Sequence, residues 1–303
     1  MTSRSTMSYP PEKQKEPAYS SAADTSLGAP PPSYEEAVPN AAQDALPEYG
    51  NLSDNLHVEA GPSSSTTLTA ATHKFPPMLN CYFQWAFTRT FILGPSNEEK
   101  LFAASPHAGW RTKKREIILH DGPSNEHPVL ATIGKSWAAK AQTPATIAIP
   151  PREERGETTG VETEISGVPW SLDQSSARVF SMTVGGKETG TEARTERFQW
   201  RGSRGGEVSE LAHGGTYGWK LVRLNEVAEG AGGSRREREA GFTSDGHEIV
   251  ALLATNYKSL TKGLKFSFAG SGLTGELGEK WEIVTVATAL WTWYTHIEGT
   301  EGS

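Results

Sequence analysis

The amino-acid sequence predicts a mainly β protein: a closed antiparallel barrel of about twelve strands around a buried hydrophobic C-terminal helix, preceded by a disordered N-terminal tail. Two observations predict this fold class. From Phe75 onward, short segments of alternating apolar and polar residues succeed one another, separated in most places by Gly, Pro, Asn or Asp. Residues 277–297, in contrast, are apolar on every side, as expected of a helix buried in a core.

Residues 1–73 form a polar tail that is rich in Ser, Pro, Ala and Thr. The tail holds too little apolar surface to offset an ordering entropy of about 1–2 kcal/mol per residue, so we expect it to be disordered. It carries three basic and nine acidic residues, whereas residues 74–303 carry 26 basic and 27 acidic residues. Neither part has the strongly basic balance of a nucleic-acid-binding protein.

The tail contains one recognisable interaction motif, Pro31-Pro32-Ser33-Tyr34, which fits the PPxY pattern that WW domains bind. Prolines favour a polyproline II helix, which aromatic-lined grooves accept at low entropic cost. Pro32 would then lie between aromatic rings of the groove, and Tyr34 would enter a pocket of its own. The alternative is a proline-rich linker that contains a tyrosine by chance.

The barrel is expected to begin with the alternation of Cys81, Phe83, Trp85 and Phe87, which predicts a strand. Two polar stretches, residues 150–176 and 226–244, interrupt the pattern and are expected to be insertions in the form of surface loops. The other predicted strands lie at residues 90–93, 100–104, 111–119, 129–133, 145–149, 177–184, 196–201, 207–211, 217–224, 247–255 and 264–268.

The predicted helix at residues 277–297 contains too few consecutive uncharged residues to cross a bilayer. Thirteen residues pass without a charge, whereas a membrane span needs about 17–25. A barrel of about a dozen strands leaves a lumen that accepts one helix about 10–12 Å across. The alternative, a β-sandwich with the helix on one side, would leave half of the helix's apolar surface exposed.

Several stretches resemble a known family. They are residues 85–93, Phe198-Gln199-Trp200-Arg201, Gly218-Trp219-Lys220-Leu221 and the glycine-rich residues 270–278 before the helix. Over roughly residues 76–297 the chain resembles the tubby C-terminal-like superfamily, which includes tubby proteins, plant LURP-one-related proteins and phospholipid scramblases. The resemblance is greatest to uncharacterised fungal members. It implies a twelve-stranded barrel closed around a hydrophobic C-terminal helix, and it indicates fold rather than activity.

No catalytic constellation is recognisable in the sequence. Gly270, Gly272 and Gly275 form a GxGxxG pattern, but no second strand with an acidic residue follows, so we interpret the pattern as a tight turn. The eight histidines form no HxH or HExxH pair, and the GxSxG elbow is absent. We therefore expect no catalytic residues, cofactor or metal. The lone Cys81 and the absence of a signal peptide predict a cytoplasmic location.

A basic run, Arg111, Lys113, Lys114 and Arg115, starts one predicted strand. Alternation places the first, third and fifth residues of this run, 111, 113 and 115, on one face. Such a face would hold a lipid headgroup, since each charge near an anionic membrane contributes ~1 kcal/mol. Tubby proteins bind phosphoinositides, so the resemblance points to the same ligand. The alternative is a solvated strand face.

The sequence is compatible with three functions. The first is a non-catalytic adaptor whose tail recruits a WW-domain protein, with a ubiquitin ligase as the expected class by analogy. The second is a peripheral membrane module that binds phosphoinositide headgroups. The third is a scramblase-like lipid-handling protein, although the sequence lacks a cysteine cluster and an acidic calcium loop. Nucleic acid is not an expected partner, and no transmembrane span is expected.

Overall fold

The computed structural model describes residues 73–83, 90–109, 114–136, 138–140, 143–167, 177–186, 189–212, 217–234, 236–255 and 262–298. The described residues all belong to one unit of the chain, Thr66–Ser303. The predicted tail and its WW-binding motif therefore lie outside the described residues, apart from His73.

Twelve β-strands form the wall of a closed barrel, and each strand is antiparallel to the next one along the chain. The first and last strands close the ring, with Met78 opposite Ser267. The predicted fold class is confirmed. The strands are β1 (Met78–Phe83), β2 (Phe91–Gly94), β3 (Phe102–Gly109), β4 (Lys114–His120), β5 (Val129–Ser136), β6 (Ala145–Ile149), β7 (Val161–Gly167), β8 (Arg178–Gly186), β9 (Thr191–Ser203), β10 (Gly218–Arg223), β11 (Ile249–Thr255) and β12 (Lys262–Phe268).

Alternation along each strand decides which side chains enter the lumen. In β8, for example, Phe180, Met182 and Val184 are buried, whereas Ser181 between them is exposed. Inward rows of neighbouring strands pack against one another, as Phe180 does on Phe198 of β9, with ring centroids 5.4 Å apart. The main core therefore lies inside the barrel.

The helix α2 (Glu279–Ile297) fills the lumen, and every residue from position 281 to position 295 is buried. The Trp293 ring lies 5.1 Å from the ring of Phe91 in β2. The indole nitrogen of Trp200 in β9 donates a 3.0 Å hydrogen bond to the Thr288 hydroxyl. A helix on the outside of the wall would not touch such distant strands on both sides of the ring. Among the described residues, no helix has the length and apolar character needed to cross a bilayer.

A glycine-rich turn carries the chain from β12 into the lumen. Gly270 and Gly278 have φ angles of 48° and 86°, a region that favours glycine. A Cβ atom on Gly272 would lie 2.4 Å from the carbonyl oxygen of Val250, so the backbone approaches the wall closely here. The GxGxxG pattern thus forms a 3-10 turn at Gly270–Leu273 that leads into α2.

The structure corrects the strand predicted at residues 207–211. This segment is the helix α1 (Gly206–Leu211), whose buried Val208 packs on the outside of the barrel close to Gly218 of β10. Its two apolar residues, Val208 and Leu211, are three positions apart, a spacing that fits one helical turn. In a segment this short, the sequence alone does not distinguish the helical period of 3.6 residues from the strand period of two.

The loop expected across residues 150–176 is also corrected, because β7 lies within it and completes the wall between β6 and β8. Val161, Thr163 and Ile165 alternate with Glu162 and Glu164, the period-2 pattern of a strand, although Ile165 is the one buried residue of β7. Residues 226–244 do form a connection, as expected. It is a hydrogen-bonded lobe in which Ala231 and Thr243 are buried.

Candidate functional site

The predicted site residues are only partly described. The motif Pro31-Pro32-Ser33-Tyr34 lies outside the described residues, and so do Arg111 and Lys113 of the basic run. Lys114 opens β4 as an exposed side chain, whereas Arg115 is half-buried.

Arg115 faces the lumen of the barrel. It alternates with Ile117 and Leu119, which are both buried, while Lys114 points to the other side of the strand. The Arg115 Nε atom lies 3.7 Å from the Glu298 Oε2 atom, just beyond the end of α2. A solvated strand face, the alternative to a headgroup site, therefore does not describe Arg115.

Two further cations join Arg115 where α2 ends. Lys135 of β5 is the direct ladder partner of Arg115. Arg178, the first residue of β8, donates a 2.7 Å hydrogen bond to the Thr295 hydroxyl in the last turn of α2. His296 follows in the same turn, with its ring 5.0 Å from the ring of Trp219. We refer to Arg115, Lys135, Arg178 and His296 as the cationic end of the barrel.

The electrostatics of the cationic end reflect burial and like charge. Burial, together with the charges of Arg178 and Arg115, holds the pKa of Lys135 below its usual value. Burial lowers the pKa of Arg178 to about 10. Burial and the charge of Arg178 also lower the pKa of His296. An anionic group placed among these side chains would be attracted by Arg115, Lys135 and Arg178 and would relieve their mutual repulsion.

The same cations also have a structural role. They lie at the C-terminal end of α2, where the last carbonyl groups carry a partial negative charge that stabilises nearby cations. This favourable interaction explains how the fold tolerates several positive charges in a partly buried place. It is weak, about 0.3–1 kcal/mol for each charge, and does not by itself neutralise the cluster.

Sequence reasoning found Arg115 and missed Lys135 and Arg178. Each of these two is a lone cation in its own segment, so no local cluster draws attention to it. The available signal was the alternation of inward and outward side chains along each strand. Lys135 lies two residues after the inward Ile133 in β5, and Arg178 lies two residues before the inward Phe180 in β8. Their proximity to Arg115 depends on the register of the closed ring.

The opposite end of the barrel carries an ion-pair cluster with a structural role. Arg223 of β10 is buried and donates a 2.7 Å hydrogen bond to Glu196 of β9, whose carboxylate is also buried. It also contacts Glu276 in the turn before α2, at 3.0 Å, and the Ser271 hydroxyl at 3.2 Å. The cluster thereby holds the turn that introduces α2 into the lumen.

The described residues also bear on metal binding and on thiol chemistry. Within them, no group of three or more His, Cys, Asp and Glu side chains is arranged to hold a metal ion. Cys81 is fully buried, and burial raises the pKa of its thiol far above the usual value, so the reactive thiolate is suppressed.

A comparison of the chain with protein-family models finds no match. A comparison with curated proteins finds none either.

Proposed function

We propose that the protein is a non-catalytic adaptor, in which the barrel carries a tail that recruits a WW-domain protein. The observation that carries the proposal is the motif Pro31-Pro32-Ser33-Tyr34, set in a polar tail and followed by Glu35 and Glu36. Its prolines favour the conformation that WW grooves accept, and its tyrosine supplies the anchor. By analogy, a ubiquitin ligase with WW modules is the expected class of partner.

The barrel supports the proposal in an indirect way. Its lumen is occupied by α2, so a partner is left with the outer surfaces and the tail. The described chain begins at His73, whose Nδ1 atom lies 2.7 Å from the Glu282 Oε1 atom of α2. The backbone N–H of Lys74 donates a 2.8 Å hydrogen bond to the same carboxylate. The tail is therefore continuous with a segment that is bound to the central helix.

Membership of the tubby-like superfamily is part of the same proposal. A closed twelve-stranded barrel around a hydrophobic C-terminal helix is the architecture that the resemblance implies, and the presence of that architecture supports it. Fold alone does not assign an activity, which has to be argued from sites.

A pull-down on immobilised WW domains tests the adaptor function. The full chain should be retained, and Tyr34→Ala should reduce retention by about tenfold or more, because an anchoring tyrosine contributes about 2 kcal/mol. Tyr9→Ala is the matched control, since it removes a tyrosine from the same tail that no proline precedes at the motif's spacing, and it leaves the motif intact. Equal retention of Tyr34→Ala and the unmodified chain by every WW domain would refute the proposal.

A second candidate function is the binding of an anionic lipid headgroup at the cationic end. The convergence of Arg115, Lys135 and Arg178 at one mouth of the barrel favours it, because three cations from β4, β5 and β8 can surround one phosphate. A phosphoinositide is the ligand that the family resemblance implies.

Flotation with vesicles that contain phosphoinositides tests this second function. Lys135→Glu should weaken vesicle binding by about thirtyfold, since one charge near an anionic membrane contributes ~1 kcal/mol and its reversal doubles the change. Lys100→Glu makes the same charge change at an exposed position in the β2–β3 connection, at the other end of the barrel, and should have little effect. If both variants bind as the unmodified chain does, the cationic end is not a headgroup site.

A further inference from the structure

The barrel wall has a seam between β7 and β8. These two strands share three ladder pairs, Ile165 with Phe180, Ser166 with Val179 and Gly167 with Arg178. Beyond them, residues 161–164 of β7 pair with β6, and residues 181–186 of β8 pair with β9. No ladder pair joins residues 161–164 to residues 181–186, all of which the structure describes. Two long strands thus face each other here without a ladder between them.

One side-chain hydrogen bond bridges the seam. The Thr163 hydroxyl donates to the carbonyl oxygen of Ser181 at 2.6 Å, in the place where a strand would offer a backbone N–H. In an antiparallel ladder, alternate residues direct both backbone groups to the same neighbour. Because Ser181 directs its carbonyl towards β7, Thr183 two residues later directs its N–H and C=O into the seam as well. These backbone groups form an open sheet edge.

The seam is accessible from outside the barrel. A surface groove of about 610 Å³ lies over it, lined on the β7 side by Thr163, Glu164 and Ser166 and on the β8 side by Val179 and Ser181. Little holds the first half of β7 against the core, because its residues 161–164 are exposed or half-buried. This part of the wall can shift outward at little cost in buried apolar surface.

Charge selects the kind of strand that this edge would accept. Glu162 and Glu164 are both exposed on the outer face of β7. Arg197, the basic residue of the groove lining, lies one strand further away, on β9 opposite Ser181. Side chains directly opposite on neighbouring strands lie about 4.5–5.5 Å apart, so a strand beside β7 would place its outward residues next to these carboxylates. Its inward residues would lie in the wall beside Met182 and Val184, which are buried and apolar, at the edge of the core that α2 fills.

We propose that the β7–β8 seam is a docking site for an extended peptide segment of a partner protein, with basic residues alternating with β-branched apolar ones. The segment pairs with the edge formed by residues 181–183 of β8 and takes over the carbonyl of Ser181 from the Thr163 hydroxyl. Main-chain hydrogen bonds provide the affinity, and the two glutamates select the charge. This docking site is independent of the WW-binding motif.

The test uses the full chain and an eight-residue capped peptide of alternating lysine and valine as the probe. A peptide of the same length in which glutamate alternates with valine is the control ligand. We expect the lysine peptide to bind at least tenfold more tightly in fluorescence anisotropy. Thr183→Pro, which removes the edge N–H, should abolish binding, whereas Thr183→Ala, which keeps it, should not. Retained binding in Thr183→Pro would overturn the proposal and assign the affinity to general electrostatic attraction.

Hydrogen exchange on the unmodified chain decides the question if Thr183→Pro fails to fold. The amides of Glu162, Glu164 and Thr183 should exchange faster than those of the fully paired ladder between β3 and β4. Saturation with the lysine peptide should slow all three. Amides that are already protected without the peptide, or that do not respond to it, would show that the seam is closed to a new strand.

Discussion

Replacing Trp293 by aspartate is expected to leave no cooperatively folded protein. Trp293 lies in the lumen with 1% of its surface exposed, against the rings of Phe83 and Phe91. The change removes a large buried aromatic side chain, at about 3–5 kcal/mol, and leaves an unpaired charge in the core, at about 3–5 kcal/mol more. Together these penalties, about 6–10 kcal/mol, are comparable to a total stability of about 5–15 kcal/mol. Circular dichroism during urea titration should show no cooperative transition.

Ile297→Asp is the matched control for this experiment. It places the same charge on the same helix, but at a residue that is 42% exposed. Its free energy of unfolding should fall by no more than about 1 kcal/mol, the cost of an anion at a helix C-terminus at an accessible position. If Trp293→Asp unfolded as cooperatively and at the same urea concentration as Ile297→Asp, α2 would not be the core of the barrel.

Arg223→Ala should have the second largest effect, a loss of about 3–5 kcal/mol in the free energy of unfolding. Arg223 is the buried partner of the Glu196 carboxylate, which has 1% of its side chain exposed. Its removal leaves a buried charge without its main partner and also releases the contact with Glu276 before α2. Urea denaturation at neutral pH measures the change.

Arg194→Ala provides the comparison for Arg223→Ala. Arg194 contacts the same carboxylate at 2.5 Å, but 42% of its side chain is exposed. An exposed ion pair contributes about 0.2–1 kcal/mol, so this variant should lose no more than that. Equal losses in the two variants would mean that burial of Arg223 does not decide the energetics of the cluster.

The pH dependence of stability should differ between these proteins. Burial acts to raise the pKa of Glu196, but hydrogen bonds from Arg223 and Arg194 outweigh it and hold the pKa below the usual 4.5. A depressed carboxyl pKa contributes stability that is present above the unfolded-state value and is lost as the pH falls through the folded-state value. The acid-induced loss below pH 4.5 should therefore be smaller in Arg223→Ala than in the unmodified chain.

Most of the fold could be predicted from the sequence because burial constrains it. Strands that offer one apolar face need a partner for that face, and a helix that is apolar all round needs to be enclosed. The failures lie where burial is weak. Strand β7 buries Ile165 alone, and its alternation of Val161, Thr163 and Ile165 with glutamates lies within a long polar stretch. Helix α1 is six residues long with Val208 as its buried residue, too short to show a helical period.

The candidate site was less accessible to sequence reasoning. The run of basic residues draws attention to Arg115 in the sequence. That its side chain faces the lumen follows from the structure, in which Ile117 and Leu119 of the same strand face inward. Lys135 and Arg178 come close to it through the register of β4 with β5 and the closure of the ring. Pairing between strands determines which distant cations meet, and a single sequence does not specify that register.

The order of elements along the chain has a consequence for biosynthesis. The wall closes between β1 and β12, through partners such as Met78 and Ser267, and α2 follows the last strand. A ribosome therefore releases the whole wall before it releases the element that fills it. Until then the apolar inner face of the wall lacks its partner and stays exposed in the nascent chain. Folding is therefore expected to finish only after α2 has been translated, and chaperones are needed most in the interval before that.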